Sequence, residues 1–228
     1  MIGNQRNMKN EKAIGEMSES NIINISYSVK GHITISDVTD RDNPIILIDK
    51  DNAVNYETMS ESMAYTLSDA GKGQIYQMAF GNGAASIDST GLITYLPPNV
   101  TGQNATLYNQ TYAKIIDGTL ISNNDPIRNN MTVNHVVGKL YTDILVTCLL
   151  DYGEPSGQMA FDNGTATDSQ YTFDELGLLA NYGIDSSGNI VTRLLTHVVF
   201  APIQKALNRQ IQIDYTLRLQ TLTNLVTI

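Results

Sequence analysis

Residues 210–219 read Gln210-Ile-Gln-Ile-Asp-Tyr-Thr-Leu-Arg-Leu219, with polar and apolar side chains alternating without a break. Successive side chains of an extended chain point to opposite faces, so this period of two predicts a strand with Ile211, Ile213, Tyr215, Leu217 and Leu219 in a core and its other face in water. The reading extends upstream. Ile190 to Phe200, entered by the turn Asp185-Ser-Ser-Gly-Asn189, and Phe173 to Ala180 are apolar runs of strand length, and Met131 to Val137 and Lys139 to Leu150 form two more around Gly138. The C-terminal half is therefore β throughout.

In the N-terminal half, Ile23, Ile25, Tyr27 and Val29 alternate with Asn24, Ser26 and Ser28, and Ile33 and Ile35 resume the pattern after Lys30-Gly31, which reads as a turn or bulge inside a hairpin. Pro44-Ile-Ile-Leu-Ile48 predicts a buried strand. Asp51 to Ala70 predicts the one helix, with Tyr56, Met59, Met63 and Leu67 on one face and Glu57, Ser60, Glu61 and Ser68 on the other. Asp51 or Asn52 suits its N-cap and Gly71 its C-terminal cap. Gln74 to Phe80 predicts a strand ending at Gly81-Asn82-Gly83, where flexible backbone permits a sharp reversal. The following 84–125, rich in Asn, Gly and Thr and containing Pro97-Pro98, predicts a long, largely irregular loop with one short strand. Many strands joined by turn-rich connections and a single helix predict a mainly β chain: an antiparallel β-sandwich, jelly-roll-like, over residues 21–228, preceded by a flexible arm at 1–20.

Composition narrows the function classes. The chain of 228 residues is 42% hydrophobic, enough for a real core, yet only 16% charged, with no Trp. A surface of Asn, Gln, Ser, Thr and Gly carries little repulsion between like subunits and suits a protein packed against copies of itself. A net charge of −9 without a basic stripe argues against a nucleic-acid partner. The start, Met1-Ile-Gly-Asn-Gln, lacks the apolar core of a signal peptide, and no stretch is long and apolar enough for a membrane helix, so synthesis in a reducing cytoplasm is expected.

Chemistry-bearing patterns are sparse. Cys148 sits in an apolar strand and reads as a core residue. His32, His135 and His197 lie on strand-like segments without metal-site spacing and read as sheet-surface histidines. Asp185 to Asn189 lacks the downstream Glu of a calcium loop, and neither a phosphate loop nor a nucleophile elbow is present. No catalytic, cofactor-binding or metal-binding residues are nominated. Structural roles fall to Glu175, whose carboxylate can accept from loop N–H groups left unpaired, to Gly177, which lets a neighbouring backbone approach, and to the turn glycines Gly81 and Gly83. Met78-Ala-Phe-Gly-Asn-Gly-Ala-Ala85 is echoed as Met159-Ala-Phe-Asp-Asn-Gly-Thr-Ala166 and Ile87-Asp-Ser-Thr-Gly91 as Ile184-Asp-Ser-Ser-Gly188, but the offsets differ, so no constant period links them.

The order of short phrases resembles a family of tailed-bacteriophage virion proteins found in tails, necks and fibre anchors. The phrases are Lys50-Asp-Asn-Ala-Val-Asn55 before the helix, Ala79-Phe-Gly-Asn-Gly83, Leu107-Tyr-Asn-Gln-Thr-Tyr112, Glu175-Leu-Gly-Leu178, the strand Leu194 to Phe200 and the final alternating strand. They span roughly residues 45 to 220, and the first 45 residues and the insertion-like stretch Gly153 to Tyr171 have no counterpart. The resemblance implies a structural component of a virion, in the neck, collar or tail, assembling as a ring of identical subunits and contacting other tail, neck or fibre proteins. The arm and the 84–125 loop are then expected to reach neighbours and become ordered there. Two other classes remain open: a carbohydrate-binding fibre module, for which twelve Tyr speak and the lack of Trp does not, and a glycoside hydrolase using Asp174 or Glu175, which needs a second carboxylate across a groove.

Overall fold

The computed structural model describes residues 22–155 and 170–226. The expected arm at 1–20 lies outside them, as do the echo Met159 to Ala166 and most of the stretch Gly153 to Tyr171. The alternating segment lies in β12 (Ile211–Val226), where Ile211, Ile213, Tyr215 and Leu217 are buried and Gln212, Asp214, Thr216 and Arg218 only partly so. The remaining elements are β1 (Ile22–Asp37), β2 (Ile45–Val54), α1 (Tyr56–Leu67), β3 (Ile75–Gly81), β4 (Ala85–Ile87), β5 (Ile93–Tyr95), β6 (Gln110–Ile115), β7 (Asn130–His135), β8 (Tyr141–Leu150), β9 (Gln170–Ile184), β10 (Ile190–Leu194) and β11 (Thr196–Ala206).

The chain is mainly β, and its strand pairs are antiparallel. One curled sheet runs in the order β6-β3-β9-β11-β2-β1-β12-β8-β7, with β10 beside β9 and a separate β4–β5 hairpin. Curling brings its two halves into a sandwich-like arrangement. Ile33, Ile35, Val146, Cys148, Ile213, Tyr215 and Leu217 from one half share a core with Met78, Phe80, Phe173, Leu176, Leu178 and Phe200 from the other. Burying each such side chain contributes roughly 1.5–3 kcal/mol, so this interior is the main source of stability. The halves join through β2 and β11 by only two residue pairs, Thr196↔Val54 and His197↔Ala53.

Beyond that seam, β2 is an unpaired edge with two protections. A bulge interrupts its pairing with β1 between Ile35 and Ser36, and the Lys50 ammonium donates to the Val199 carbonyl at 2.8 Å. Both features discourage a foreign strand from adding there. β1 and β12 pair along their whole lengths, from Ile22↔Val226 to Asp37↔Ile211. β2 flanks β1 only from Gly31 onward and β8 flanks β12 only up to Gln220, so a two-stranded ribbon projects from the sheet.

Three local expectations are corrected. Lys30-Gly31 is neither turn nor bulge, because β1 runs straight through it. A Cβ on Gly31 would fall 2.0 Å from the Asn52 side chain, which donates to the Tyr215 hydroxyl across the strand; glycine is needed there for room. The helix is shorter than 51–70, because Asp51 to Val54 continue β2 and Asn55 is the N-cap, accepting from Thr58 N–H. At its other end Ser68 is the C-cap and Asp69, at φ 51°, takes the left-handed position. The bonds Ala70 N–H to Tyr65 O and Asp69 N–H to Thr66 O close the helix by the Schellman pattern, ahead of Gly71. Of the expected apolar face, Met59 is buried and Met63 half-buried, while Tyr56 and Leu67 are exposed. Finally, the segment 84–125 is largely irregular as expected but holds three short strands, β4, β5 and β6, rather than one.

Candidate functional site: a buried carboxylate anchor

β9 carries two consecutive acidic residues, Asp174 and Glu175, in its interior. Phe173 and Leu176 both enter the main core, whereas Asp174 and Glu175 both reach toward residues 83–109, so strict alternation fails here. The irregularity coincides with a register shift in the pairing of β9 with β11, between Val199 and Ile203. The extra residues lie on β11, which advances four positions while β9 advances two, opposite Asp174.

Glu175 is fully buried. Its Oε1 accepts from the backbone N–H of Gly83 at 3.2 Å and of Asn109 at 2.8 Å. Its Oε2 accepts from Tyr108 N–H at 2.9 Å and faces His197 Nε2 at 2.9 Å. His197 is equally buried, and its Nδ1 accepts from Asn99 N–H at 2.8 Å. With a lone pair committed at Nδ1, the hydrogen resides on Nε2 and is donated to Glu175. Asp174 accepts from Ala84 N–H at 3.1 Å and Ala85 N–H at 2.8 Å. Gly83, Ala84, Ala85, Asn99, Tyr108 and Asn109 thus all give backbone N–H groups to this cluster.

Burial alone would raise the Glu175 pKa, but the hydrogen bond from His197 and those from Asn109, Tyr108 and Gly83 outweigh it and hold the carboxyl below its ordinary value. At Asp174 burial wins: its pKa is raised, the Ala84 and Ala85 N–H groups offset only part of the cost, and the adjacent Glu175 charge adds to it.

Gly177, expected beside Glu175, and the turn glycines Gly81 and Gly83 all lie around it. A Cβ on Gly81 would stand 2.5 Å from Glu175 Oε1 and 2.6 Å from Asn109 O. On Gly83 it would meet Asn109 N at 2.8 Å, and on Gly177 the Thr196 carbonyl at 2.2 Å. None of the three has a positive φ, so the demand at Gly81 and Gly83 is for space rather than for the backbone freedom of a reversal. Beneath the pinned loop, Ala79, Ala105, Leu107, Leu179 and Leu194 form a small second core. The helix N-cap contributes too, since Asn55 Nδ2 donates to Gly102 O at 2.9 Å. Residues 83–109 are therefore held by hydrogen bonds within their own chain.

His197 is a correction, being an interior partner of Glu175 rather than a sheet-surface residue. His32 and His135 are exposed on strands. His32 lies between Asp51 at 2.8 Å and Asp49 at 2.5 Å, and its pKa is raised, first by the hydrogen bond to Asp51 and then by that to Asp49. Cys148 is buried, and burial pushes its thiol up to about 12. Among the described residues no cluster of three or more His, Cys, Asp or Glu could hold a metal ion, and no helix is long and apolar enough to cross a membrane.

A second buried charge was not singled out in the sequence. Lys205 of β11 is fully buried. Its ammonium donates to the carbonyls of Asp151 at 2.9 Å, Glu154 at 2.8 Å and Ala206 at 2.9 Å. Burial pulls its pKa down to about 8, against the favourable charges of Glu154 and Asp151. Lys114 of β6 pairs with the Glu154 carboxylate and donates to Leu149 O at 2.6 Å, tying β6 to the end of β8.

Chemically, both Glu175 oxygens are occupied by two donors each and neither Glu175 nor His197 meets solvent. General acid or base work requires a proton path to a substrate, and this arrangement instead commits both carboxylate oxygens and both imidazole nitrogens to hydrogen bonds within the chain. No protein-family model matches the chain, and no curated protein or solved structure is significantly similar to it.

Proposed function

We propose that the protein is a non-enzymatic structural component of a bacteriophage virion, in the neck, collar or tail, that assembles with identical subunits in a ring and anchors neighbouring tail or fibre proteins. One observation carries this reading: the dispersed phrases behind the resemblance meet at one place. Ala79 to Gly83, Leu107 to Tyr112, Glu175 to Leu178 and Leu194 to Phe200 converge on the Glu175 carboxylate through Gly83, Tyr108, Asn109 and His197. Asn55, which ends the phrase before the helix, binds the Leu195 carbonyl through its backbone N–H at 2.8 Å. Their meeting at one anchor supports reading them as a single pattern. A buried anchor of this kind makes a rigid block, and a rigid block is what repeated assembly needs.

Large exposed apolar side chains agree with a surface meant for partners, among them Val133, Val137, Leu140, Ile121, Ile127 and Tyr27. The test is localisation: purified particles, probed by mass spectrometry and by gold-labelled antibody against this chain, carry it in multiple copies at the neck, collar or tail. Its absence from purified particles overturns the reading.

A further inference from the structure

The two long edges of the sheet's β7-to-β2 half differ in their protection. β2 is guarded by its bulge and by Lys50, as described above. β7 is not: among the described residues it ends the sheet and pairs only with β8, and its Asn130↔Thr147 to His135↔Thr142 register is unbroken. Residues 129–138 contain no Asp, Glu, Lys or Arg. Around this edge Val133 is 73% exposed, Val137 92% and Leu140 60%. A strand edge with unpaired backbone groups, no bulge, no proline, no charge and exposed aliphatic side chains is a template for another strand.

We propose that the β7 edge is a self-association surface, occupied by the β7 edge of a second copy of this chain in an antiparallel pair about a two-fold axis. This proposal rests on the reading that the chain assembles with itself and names the surface involved. An unpaired edge accepts only another strand edge, and a two-fold axis sets β7 antiparallel to itself, so a single patch serves both partners. Charge favours a second copy. Each chain carries a net −9, yet within 129–138 no like charges come face to face across the axis, where they would oppose pairing. Val133 and its counterpart supply a β-branched contact of the kind that stabilises cross-strand pairs. The sheets of two copies then become one continuous sheet, and subunits join in pairs through this edge, leaving ring closure to other surfaces.

The experiment measures the mass of the soluble full-length protein by sedimentation equilibrium, for wild type and for Val133→Lys and Val137→Lys. Both side chains are exposed, so the melting curves of the single chains stay close to wild type. Wild type is expected to dimerise, and Val133→Lys to lose about a hundredfold in affinity because like charges are set opposite each other, with a smaller loss for Val137→Lys, whose position does not face its own counterpart. As a second reading, Val133→Cys forms an oxidised dimer, because the two-fold axis sets this residue opposite its own counterpart, with Cys148 buried and silent. A wild type that stays monomeric at its highest soluble concentration overturns the proposal, as does a dimer that the Lys variants leave intact. Either result leaves localisation in the particle as a separate question, so failure of this surface is distinguishable from failure of the virion reading.

Discussion

Glu175 and Lys205 sit on neighbouring strands, are both fully buried, and do opposite jobs. The carboxylate gathers N–H groups from 83–109, and the ammonium gathers carbonyls from Asp151, Glu154 and Ala206. They differ in how the cost of burial is met. At Glu175, donors that include a buried imidazole outweigh desolvation and the charged form is favoured. At Lys205 desolvation wins and the charged form is disfavoured. A buried charge is thus a strong anchor only where enough opposing dipoles are fixed around it. Of the two, the anionic site holds more of the chain in place.

The largest effect belongs to Glu175→Ala. Removing the carboxylate strands His197 Nε2–H and three backbone N–H groups, and breaking such a buried pair costs about 3–5 kcal/mol. Urea denaturation is expected to show that loss, with faster proteolysis within 96–109. A change below about 1 kcal/mol, the size of a surface contact, would break the contrast between the sites. Lys205→Met is expected to cost less, about 1–3 kcal/mol, because apolar packing is recovered while three carbonyls lose a donor. If it destabilises more than Glu175→Ala, the ranking of the two anchors is reversed.

Smaller, but sharper in sign, is the pH response. Glu175 has a depressed folded pKa, so its contribution is present above the ordinary carboxylate value of 4.5 and is lost as pH falls through the folded one. Asp174, with a raised pKa, works against this by favouring the protonated folded state. Lys205 has a folded pKa of about 8 against 10.5 ordinarily. The unfolded chain binds more protons between those values, so stability attributable to Lys205 rises with pH across that window. Subtracting the profile of Glu175→Gln from that of wild type isolates the acid limb, and Lys205→Met removes the alkaline rise. An alkaline rise that persists in Lys205→Met would assign it to another group.

Much of the architecture was legible in the sequence because period two is a strong signal where one face is buried. β12 shows it plainly, and β3, β7, β8 and β9 fall close to their expected places. What escaped was decided by tertiary contact. Gly31 looked like a turn because its reason, the Asn52 side chain, lies on another strand. Asp51 and Asn52 looked like caps because strand β2 leads into the helix with one residue between. His197 resembled a surface residue because alternation cannot reveal that the outer face of β9 and β11 is covered by 96–109. Glu175 and its glycines were readable as anomalies in apolar strands, but the backbone donors of the anchor come from segments more than sixty positions away. Lys205 gave no sequence signal at all, since a lone lysine in an alternating strand ordinarily faces water.

The ribbon formed by β1 and β12 has a mechanical consequence. Ile22 and Val226 lie opposite one another at its tip, so a pull applied between those two points opens the ribbon like a zip, one rung at a time, and meets little resistance. A load between Ile22 and Ile211, at opposite ends of the same pair of strands, strains every rung together in shear. The same sixteen-residue strands are therefore weak or strong according to where force enters.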